Sequence, residues 1–398
     1  MAESITQEAL IITGMAGATA VSRYAGATTF GAPTTGTFAV GDYVVDQSGA
    51  MYVCIVAGTP GTWQLSGVSV NSNIAAKNFI INGGMDLNQR GASTYNVPQY
   101  TITYTLDRWF GDSRGSGTNY TMSQVSSGLT GIQYALRMQR NSGSTDTNGC
   151  WYGTTLETKN SIPLAGKVVT FSFYYRTGAN YSPTSFAFAL YSGTGTDENW
   201  ANGFTGQATV LNTTISPTAS SGWLRYSVTA LIGSTATEIG LQFTYTGTGT
   251  AGATDYIDIT GVQLEASPFA TSFSRAGGSI GAELALCQRY YWQQGGSQVY
   301  EPYGNGFGIS STDFTCKIQP PVIMRTIPTM SFSNVRIVQS NTTTVISPAA
   351  VSGTVNVTNS SPYMIGTDFF ATGLYQGYPG WISANNTTNS YIAFSAEL

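Results

Sequence analysis

The sequence contains no histidine. That excludes the Ser-His-Asp triad, the commonest zinc and iron sites, and the usual general base at neutral pH. The four cysteines, Cys54, Cys150, Cys287 and Cys316, lie far apart and form no Cys-x-x-Cys pair. A disulfide framework or zinc site is therefore not expected, and each thiol reads as a small buried hydrophobe. Charged residues make up only 9% of the chain, against about a quarter in ordinary globular proteins. The 16 Lys and Arg are scattered, the net charge is −4 and no basic stripe is present. Direct nucleic-acid binding is not expected of such a chain. No apolar run approaches the roughly 18 residues of a membrane span, so no membrane insertion is expected. Met1-Ala2-Glu3-Ser4 is not the basic start of a secretory leader, and synthesis in a cytoplasm is expected. There is no repeat of fixed period, which argues against a long β-helix, and no phosphate-binding glycine loop.

What is abundant is 47 Gly, 24 Tyr and 18 Phe, with Ser, Thr, Asn and Gln in place of charge. Glycine serves turns, while aromatics and Thr suit pleated, half-buried strands. The class expected is all-β. Residues 1–66 read as a small N-terminal β-hairpin module, with Thr37–Asp46, broken by a turn at Gly41-Asp42, and Met51–Val56 as its strands. Residues 67–77 are small and polar and read as a linker. Residues 78–276 show repeated period-two alternation. Val169, Phe171, Phe173 and Tyr175 share one face, as do Phe186, Phe188 and Leu190, then Leu224, Tyr226 and Val228, then Ile239, Leu241, Phe243 and Tyr245. In Tyr256–Glu265 the apolar phase slips by one residue at Gly261, which predicts a β-bulge. Such strands with glycine-rich turns predict a jelly-roll β-sandwich. Residues 279–398 read as a C-terminal β-rich knob. Its strands are expected at Phe314–Ile318, Thr329–Phe332, Val335–Val338 and Tyr391–Phe394, and Glu283–Trp292 fits either helix or strand.

Three stretches carry a resemblance. Gly36–Tyr43 with Val56–Trp63 resembles small N-terminal modules of phage virion proteins. Asn78-Phe79-Ile80-Ile81-Asn82-Gly83-Gly84-Met85-Asp86-Leu87-Asn88-Gln89-Arg90-Gly91, then Asp107-Arg108-Trp109, Leu164–Ser172 and Tyr256–Glu265, is similar to the jelly-roll modules of tailed-bacteriophage tail fibres. Those modules in turn resemble bacterial carbohydrate-binding modules. Glu283–Tyr291 is similar to the segment that follows the module in such fibres. The resemblance implies a virion structural protein, a fibre that binds host cell-surface polysaccharide, assembles as a homotrimer and docks on other virion proteins through residues 1–66. A capsid decoration or head fibre protein, a polysaccharide depolymerase, and a secreted bacterial carbohydrate-binding protein, which would need a signal peptide, are the alternatives.

The candidate binding residues are aromatics in turn-like, polar surroundings, because a sugar ring stacks on an aromatic face while neighbouring amides bind its hydroxyls. Trp151, Tyr152 and Trp200 are the candidates of the middle region, and Tyr375, Tyr378 and Trp381 those of the C-terminal region. The same rings could equally plug a sandwich end or a subunit interface. Trp109 and Trp223 abut alternating strands and read as core. Tyr290-Tyr291-Trp292, Tyr300, Tyr303 and Phe307 form a further aromatic group. No catalytic residue is expected, since Asp197 and Glu198 are adjacent and would point apart on a strand, and no other acid pair is marked. No cofactor is expected beyond a structural Ca²⁺, for which Asp255, Asp258 and Glu265 are the oxygen donors to consider.

Overall fold

The computed structural model describes residues 23–29, 31–47, 49–66, 77–115, 119–339, 345–346 and 351–398. The linker expected at 67–77 falls outside these residues except for Lys77. The chain divides into two compact units, Met1–Ser72 and Asn73–Leu398.

The first unit carries a four-stranded sheet of β1 (Tyr24–Thr28), β2 (Tyr43–Asp46), β3 (Met51–Val56) and β4 (Thr62–Leu65), in that order. β2 and β3 form the expected antiparallel hairpin, with Tyr43 opposite Val53. Its first strand begins only after the turn at Gly41-Asp42, so the stretch before that turn is not part of it. Asp42 lies just before it, buried in an ion pair with Arg23 at 2.6 Å and accepting from the Ala39 amide. A carboxylate that caps a turn in this way competes with ladder bonding. Phe38 meets Trp63 edge-on at 4.8 Å.

The second unit begins with a sandwich of two six-stranded antiparallel sheets. One has the order β13 (Ala208–Ile215), β12 (Phe186–Gly193), β15 (Glu238–Tyr245), β10 (Cys150–Leu156), β7 (Phe110–Ser113), β6 (Thr103–Tyr104). The other has the order β14 (Leu224–Leu231), β11 (Val168–Thr177), β16 (Tyr256–Glu265), β9 (Ile132–Arg140), β8 (Tyr120–Leu129), β5 (Tyr95–Val97). From β10 onward the chain passes repeatedly between the two sheets, as a jelly roll does. The inward register is the expected one: Phe171, Phe173, Phe186, Phe188, Leu241 and Phe243 are all buried. Their rings interlock, with Phe243 stacked on Phe186 at 5.5 Å and edge-on to Phe173 at 5.0 Å. Aromatic pairs at these separations add about 0.5–1.5 kcal/mol each beyond area burial. Trp109 is fully buried against Phe243 and donates to the Asn82 carbonyl at 3.1 Å.

The bulge lies where the phase slips. Ser172 pairs with Gln263 and Tyr174 with Thr260, so Gly261 and Val262 both face Phe173. Gly261 has φ 57°, and a Cβ there would come within 2.8 Å of the Tyr174 ring. The extra residue turns Ile257 and Ile259, then Val262 and Leu264, to the same core.

Glu283–Trp292 divides between two elements. Ile280–Gln288 is a helix capped by Ser279, whose hydroxyl accepts from the Ala282 amide, and β17 (Tyr291–Gly295) follows. The C-terminal region is a second sandwich. A seven-stranded sheet of order β22 (Val345–Ile346), β21 (Val335–Gln339), β25 (Pro379–Ala384), β18 (Pro302–Gly308), β19 (Asp313–Ile318), β24 (Ile365–Phe370), β23 (Ser352–Val355) faces three strands, β17, β26 (Tyr391–Ser395) and β20 (Thr329–Ser333). Phe314, Cys316, Ile337, Ile382 and Phe369 meet Ile392 and Phe394 in its core. All four cysteines are buried free thiols.

Candidate functional site

The middle-region aromatics are packing residues in part. Tyr152 points inward from β10, fully buried, 5.4 Å from Phe243. Its neighbour Trp151 points outward, as alternation requires. Trp200 lies on the same outer face, 6.3 Å from Trp151 and also beside Phe110 and Tyr191. Two glycines on paired strands make its bed. A Cβ at Gly240 would approach Trp200 to 2.5 Å, and one at Gly153 would reach it at 3.2 Å. Trp200 is buried and donates to the Thr154 carbonyl at 3.1 Å. Trp151 keeps part of its surface, but the Arg114 guanidinium lies 3.6 Å above its ring, held by Asp112 at 2.6 Å. Of this trio only Trp151 presents surface to a ligand, and that ring is already stacked against a cation.

The carboxylates considered for Ca²⁺ do not fit a shared cation. Asp258 accepts from Arg137 at 2.8 and 3.0 Å and from Arg176 at 2.8 Å. Asp255 binds Arg140, Ser182 and the Tyr245 hydroxyl. Glu265 binds the Thr271 amide and hydroxyl and the Gln263 side chain, each at 2.8 Å. Each set of oxygens is occupied by protein donors. Among the described residues no group of three or more His, Cys, Asp or Glu is placed to hold a metal ion.

The C-terminal aromatics lie elsewhere. They border the outer face of the seven-stranded sheet, opposite its core. Alternation along β18, β19 and β24 sends Phe314, Cys316 and Phe369 inward, so Thr315, Lys317 and Asp368 point out. The register then assembles a row that no single strand contains. Phe307 pairs with Thr315, and Thr315 with Asp368. One step along, Trp381 pairs with Asn305, and Asn305 with Lys317. Asn305, Phe307, Thr315, Lys317 and Asp368, with Ile309, Asn356 and Asn359, line a groove of about 460 Å³. Phe307 is 49% exposed. It offers an apolar shelf beside amide, hydroxyl and carboxylate groups.

The loop between β24 and β25 adds two tyrosines at the end of this shelf. Tyr375 and Tyr378 are exposed, with ring centroids 5.6 Å apart. Buried Gln339 fixes the loop from below, its side chain accepting from the Tyr375 amide at 2.8 Å and donating to the Tyr375 carbonyl at 2.9 Å. Gly308, the residue after Phe307, donates its amide to the Tyr378 carbonyl at 3.0 Å. The tyrosine pair and the phenylalanine shelf are therefore tied together through the backbone. Trp381 is half-buried one strand away.

Beside the groove Asp368 accepts from Asn356 Nδ2 at 2.8 Å through one oxygen, and its other oxygen, Oδ1, is buried without a hydrogen-bond partner among the described residues. Asp313 Oδ1 is likewise buried and without a partner among the described residues. Asp313 pairs across the strands with Phe370, which places it diagonal to Asp368 on the same face. Burial, together with the charge of Asp368, pushes the Asp313 carboxyl above its usual range. Lys317 donates to the Asn359 carbonyl at the other end. Asn305, Thr315, Asn356 and Asp368 escape a reading of the sequence because each is an ordinary polar residue on a strand or turn. Only Phe307 carries a local signal, as an aromatic among glycines.

No protein-family model and no curated protein sequence matches this chain. Solved structures are similar to about half of it. A putative sugar binding protein from Bacteroides thetaiotaomicron is 10% identical over 48% of this chain and 100% of its own, with a TM-score of 0.32. A structure described as "CBM4 structure and function" is 18% identical over 47% of this chain and 98% of its own, TM-score 0.30. The enzymatically active domain of tailspike protein 4 of bacteriophage CBA120 is 10% identical over 48% of this chain and 21% of its own, TM-score 0.31. At these identities and scores the likenesses say nothing about what this chain binds.

Proposed function

We propose that this chain is a fibre subunit of a tailed-bacteriophage particle and binds host-surface glycan without turning it over. The observation that carries the binding part is the groove on the seven-stranded sheet, where an exposed aromatic shelf adjoins amide and hydroxyl side chains. That is the pairing a sugar needs, a ring face for its C–H groups and polar atoms for its hydroxyls. The fibre part is supported by the charge-poor composition and by the ordered resemblance from Asn78 to Tyr291. In this reading residues 1–66 attach to other virion proteins, three copies assemble about one axis, and three weak sites gain avidity through effective concentration.

The test combines two measurements. Antibody against this chain is used to label purified particles, and purified chain is applied to host cells and their isolated surface polysaccharide. Labelling of a projecting appendage with saturable cell binding is expected. Absence of the chain from particles overturns the fibre part. Release of reducing ends from the polysaccharide overturns the non-catalytic part.

A further inference from the structure

We infer that the site on the seven-stranded sheet takes a run of consecutive sugar units from within a glycan chain, with Phe307 under one unit and Tyr375 and Tyr378 under the units beyond it. This rests on the reading of the groove as a glycan site and adds the length of ligand that it recognises. The exposed rings are laid out across the strands. Phe307 is 49% exposed, Tyr375 45% and Tyr378 37%. On one side of Phe307 the register places Thr315 and then Asp368. On the other side Phe307 pairs with Pro379, the residue after Tyr378. Neighbouring strands are about 4.8 Å apart, so the row from Pro379 through Phe307 and Thr315 to Asp368 covers about 14 Å. The ring of a pyranose has six members, like the phenyl ring on which it stacks. A single unit therefore covers only part of such a row.

The tyrosine pair makes the stronger case. Its ring centroids are 5.6 Å apart, but the planes are inclined at 57° to each other. One sugar face cannot lie flat on both rings. Two successive units, turned relative to each other about the bond that links them, can each take one ring. The rings are also held in place before any ligand arrives. Gly308 donates its amide to the Tyr378 carbonyl at 3.0 Å and accepts from the Gly377 amide at 2.8 Å. A Cβ at Gly308 would collide with the Tyr375 carbonyl oxygen, so glycine is what lets the loop seat against the strand. A platform fixed in this way loses little freedom on binding. Beside the Phe307 shelf, Asn305 and Asn359 are exposed and line the groove with side-chain amides, which both donate to and accept from sugar hydroxyls.

The experiment uses the full chain and host-surface polysaccharide partially hydrolysed into a size ladder that begins at single sugars. Affinity for each size is measured by calorimetry. Wild type is compared with Phe307→Ala and with the double variant Tyr375→Ala/Tyr378→Ala. All three rings are exposed, and thermal melts confirm that each variant is folded. Wild-type affinity is expected to climb roughly tenfold or more from single sugars to short oligomers and then to level off. The tyrosine variant is expected to lose that climb while keeping its affinity for single sugars. Phe307→Ala is expected to weaken binding of every size. If single sugars bind as tightly as oligomers, or the tyrosine variant keeps the whole climb, as avidity of a multimer would produce, the length assignment is wrong while the groove remains a glycan site. If no member of the ladder binds, or Phe307→Ala leaves every affinity unchanged, the groove reading itself fails and the inference goes with it.

Discussion

The guanidinium of Arg289 grips the carboxylate of Glu157 with two hydrogen bonds, Nε to Oε2 at 2.9 Å and Nη2 to Oε1 at 2.6 Å. Glu157 follows the last residue of β10 in the first sandwich, whereas Arg289 follows the helix that leads into the second. The hydroxyl of Tyr290 adds a third bond to Oε2 at 2.8 Å. The two sandwiches of the Asn73–Leu398 unit are thus joined by a charged, largely buried clasp. It is reinforced by Glu397, whose carboxylate is held by Arg108 and Arg90.

This clasp makes the unit acid-sensitive. Burial works to raise the Glu157 carboxyl, but the hydrogen bonds from Arg289, Tyr290 and Lys159 outweigh it and hold the group at about 2. A folded value below the unfolded one means stability that is present above about pH 4.5 and lost as pH falls toward 2. A shift of this size corresponds to about 3 kcal/mol. Urea unfolding at pH 6 and pH 3 should show this loss in wild type. Glu157→Gln should be less stable at pH 6 and should lack that part of the pH dependence. An equal acid loss in the variant would assign the effect to other carboxylates.

Glu238 has the opposite sign. It is fully buried on β15, and burial, aided by the neighbouring Glu198, pushes its carboxyl up. With the folded value above the unfolded one, the protein loses stability as pH rises through the carboxylate range. The penalty persists at neutral pH. Glu238→Gln keeps the Oε1 acceptor used by the Glu198 amide and removes the buried charge. Its melting temperature should exceed that of wild type at pH 8, with a smaller difference at pH 4. A variant that melts lower at both values would show that the carboxyl group is needed for packing.

Tyr152 separates ring from hydroxyl. The ring is surrounded by core aromatics, but the buried hydroxyl has no partner among the described residues. Tyr152→Ala should cost roughly 3–5 kcal/mol, as large aromatic truncations in cores do. Tyr152→Phe removes a polar group that pays a desolvation cost of about 1–3 kcal/mol, and should be neutral or stabilising. Calorimetric melts of both variants decide the matter. A marked loss in the phenylalanine variant would mean that the hydroxyl is satisfied in solution.

On the outer face the expectation is loss of binding without loss of fold. Phe307→Ala and Trp381→Ala should weaken adsorption to host cells by roughly 1–3 kcal/mol per ring if sugars behave as other stacked partners do. Melting temperatures should stay near wild type, since Phe307 is exposed and Trp381 half-buried. Raising salt should change affinity little, because binding to a neutral ligand has no charge pair to screen. Steep salt dependence would point instead to a charged receptor.

The proposed trimer is open to light scattering at micromolar concentration, where a mass of three chains is expected. Exposed apolar residues such as Val168, Leu224 and Leu231 on paired strands of the first sandwich supply surface that an assembly could cover. A single-chain mass on the intact particle would refute the trimer.

Much of the architecture is written in local order. Alternation in Val169–Tyr175, Phe186–Leu190 and Ile239–Tyr245 decides which side chains enter the core, because period two leaves a strand only two faces. The slip at Gly261 likewise announces a bulge, since one extra residue is the way to keep both halves of the strand facing inward. The absence of histidine and of paired cysteines sets the chemistry that is out of reach, whatever the fold. Alternation does not say whether an aromatic in a polar stretch is covered by something distant. Tyr152 and Trp200 stand beside Asn, Gly and Asp residues, yet opposing sheets and two glycine gaps bury them. The groove is the converse case. Phe307, Thr315, Asp368 and Asn356 are separated by up to 61 positions and become neighbours only through pairing across β18, β19 and β24. Strand register is a property of the closed sheet, fixed by burying Phe314, Cys316 and Phe369 on its other side. The sequence by itself therefore determined the β class, the inward faces and the excluded chemistry. Which polar residues meet around the exposed ring was decided only when the sheet closed.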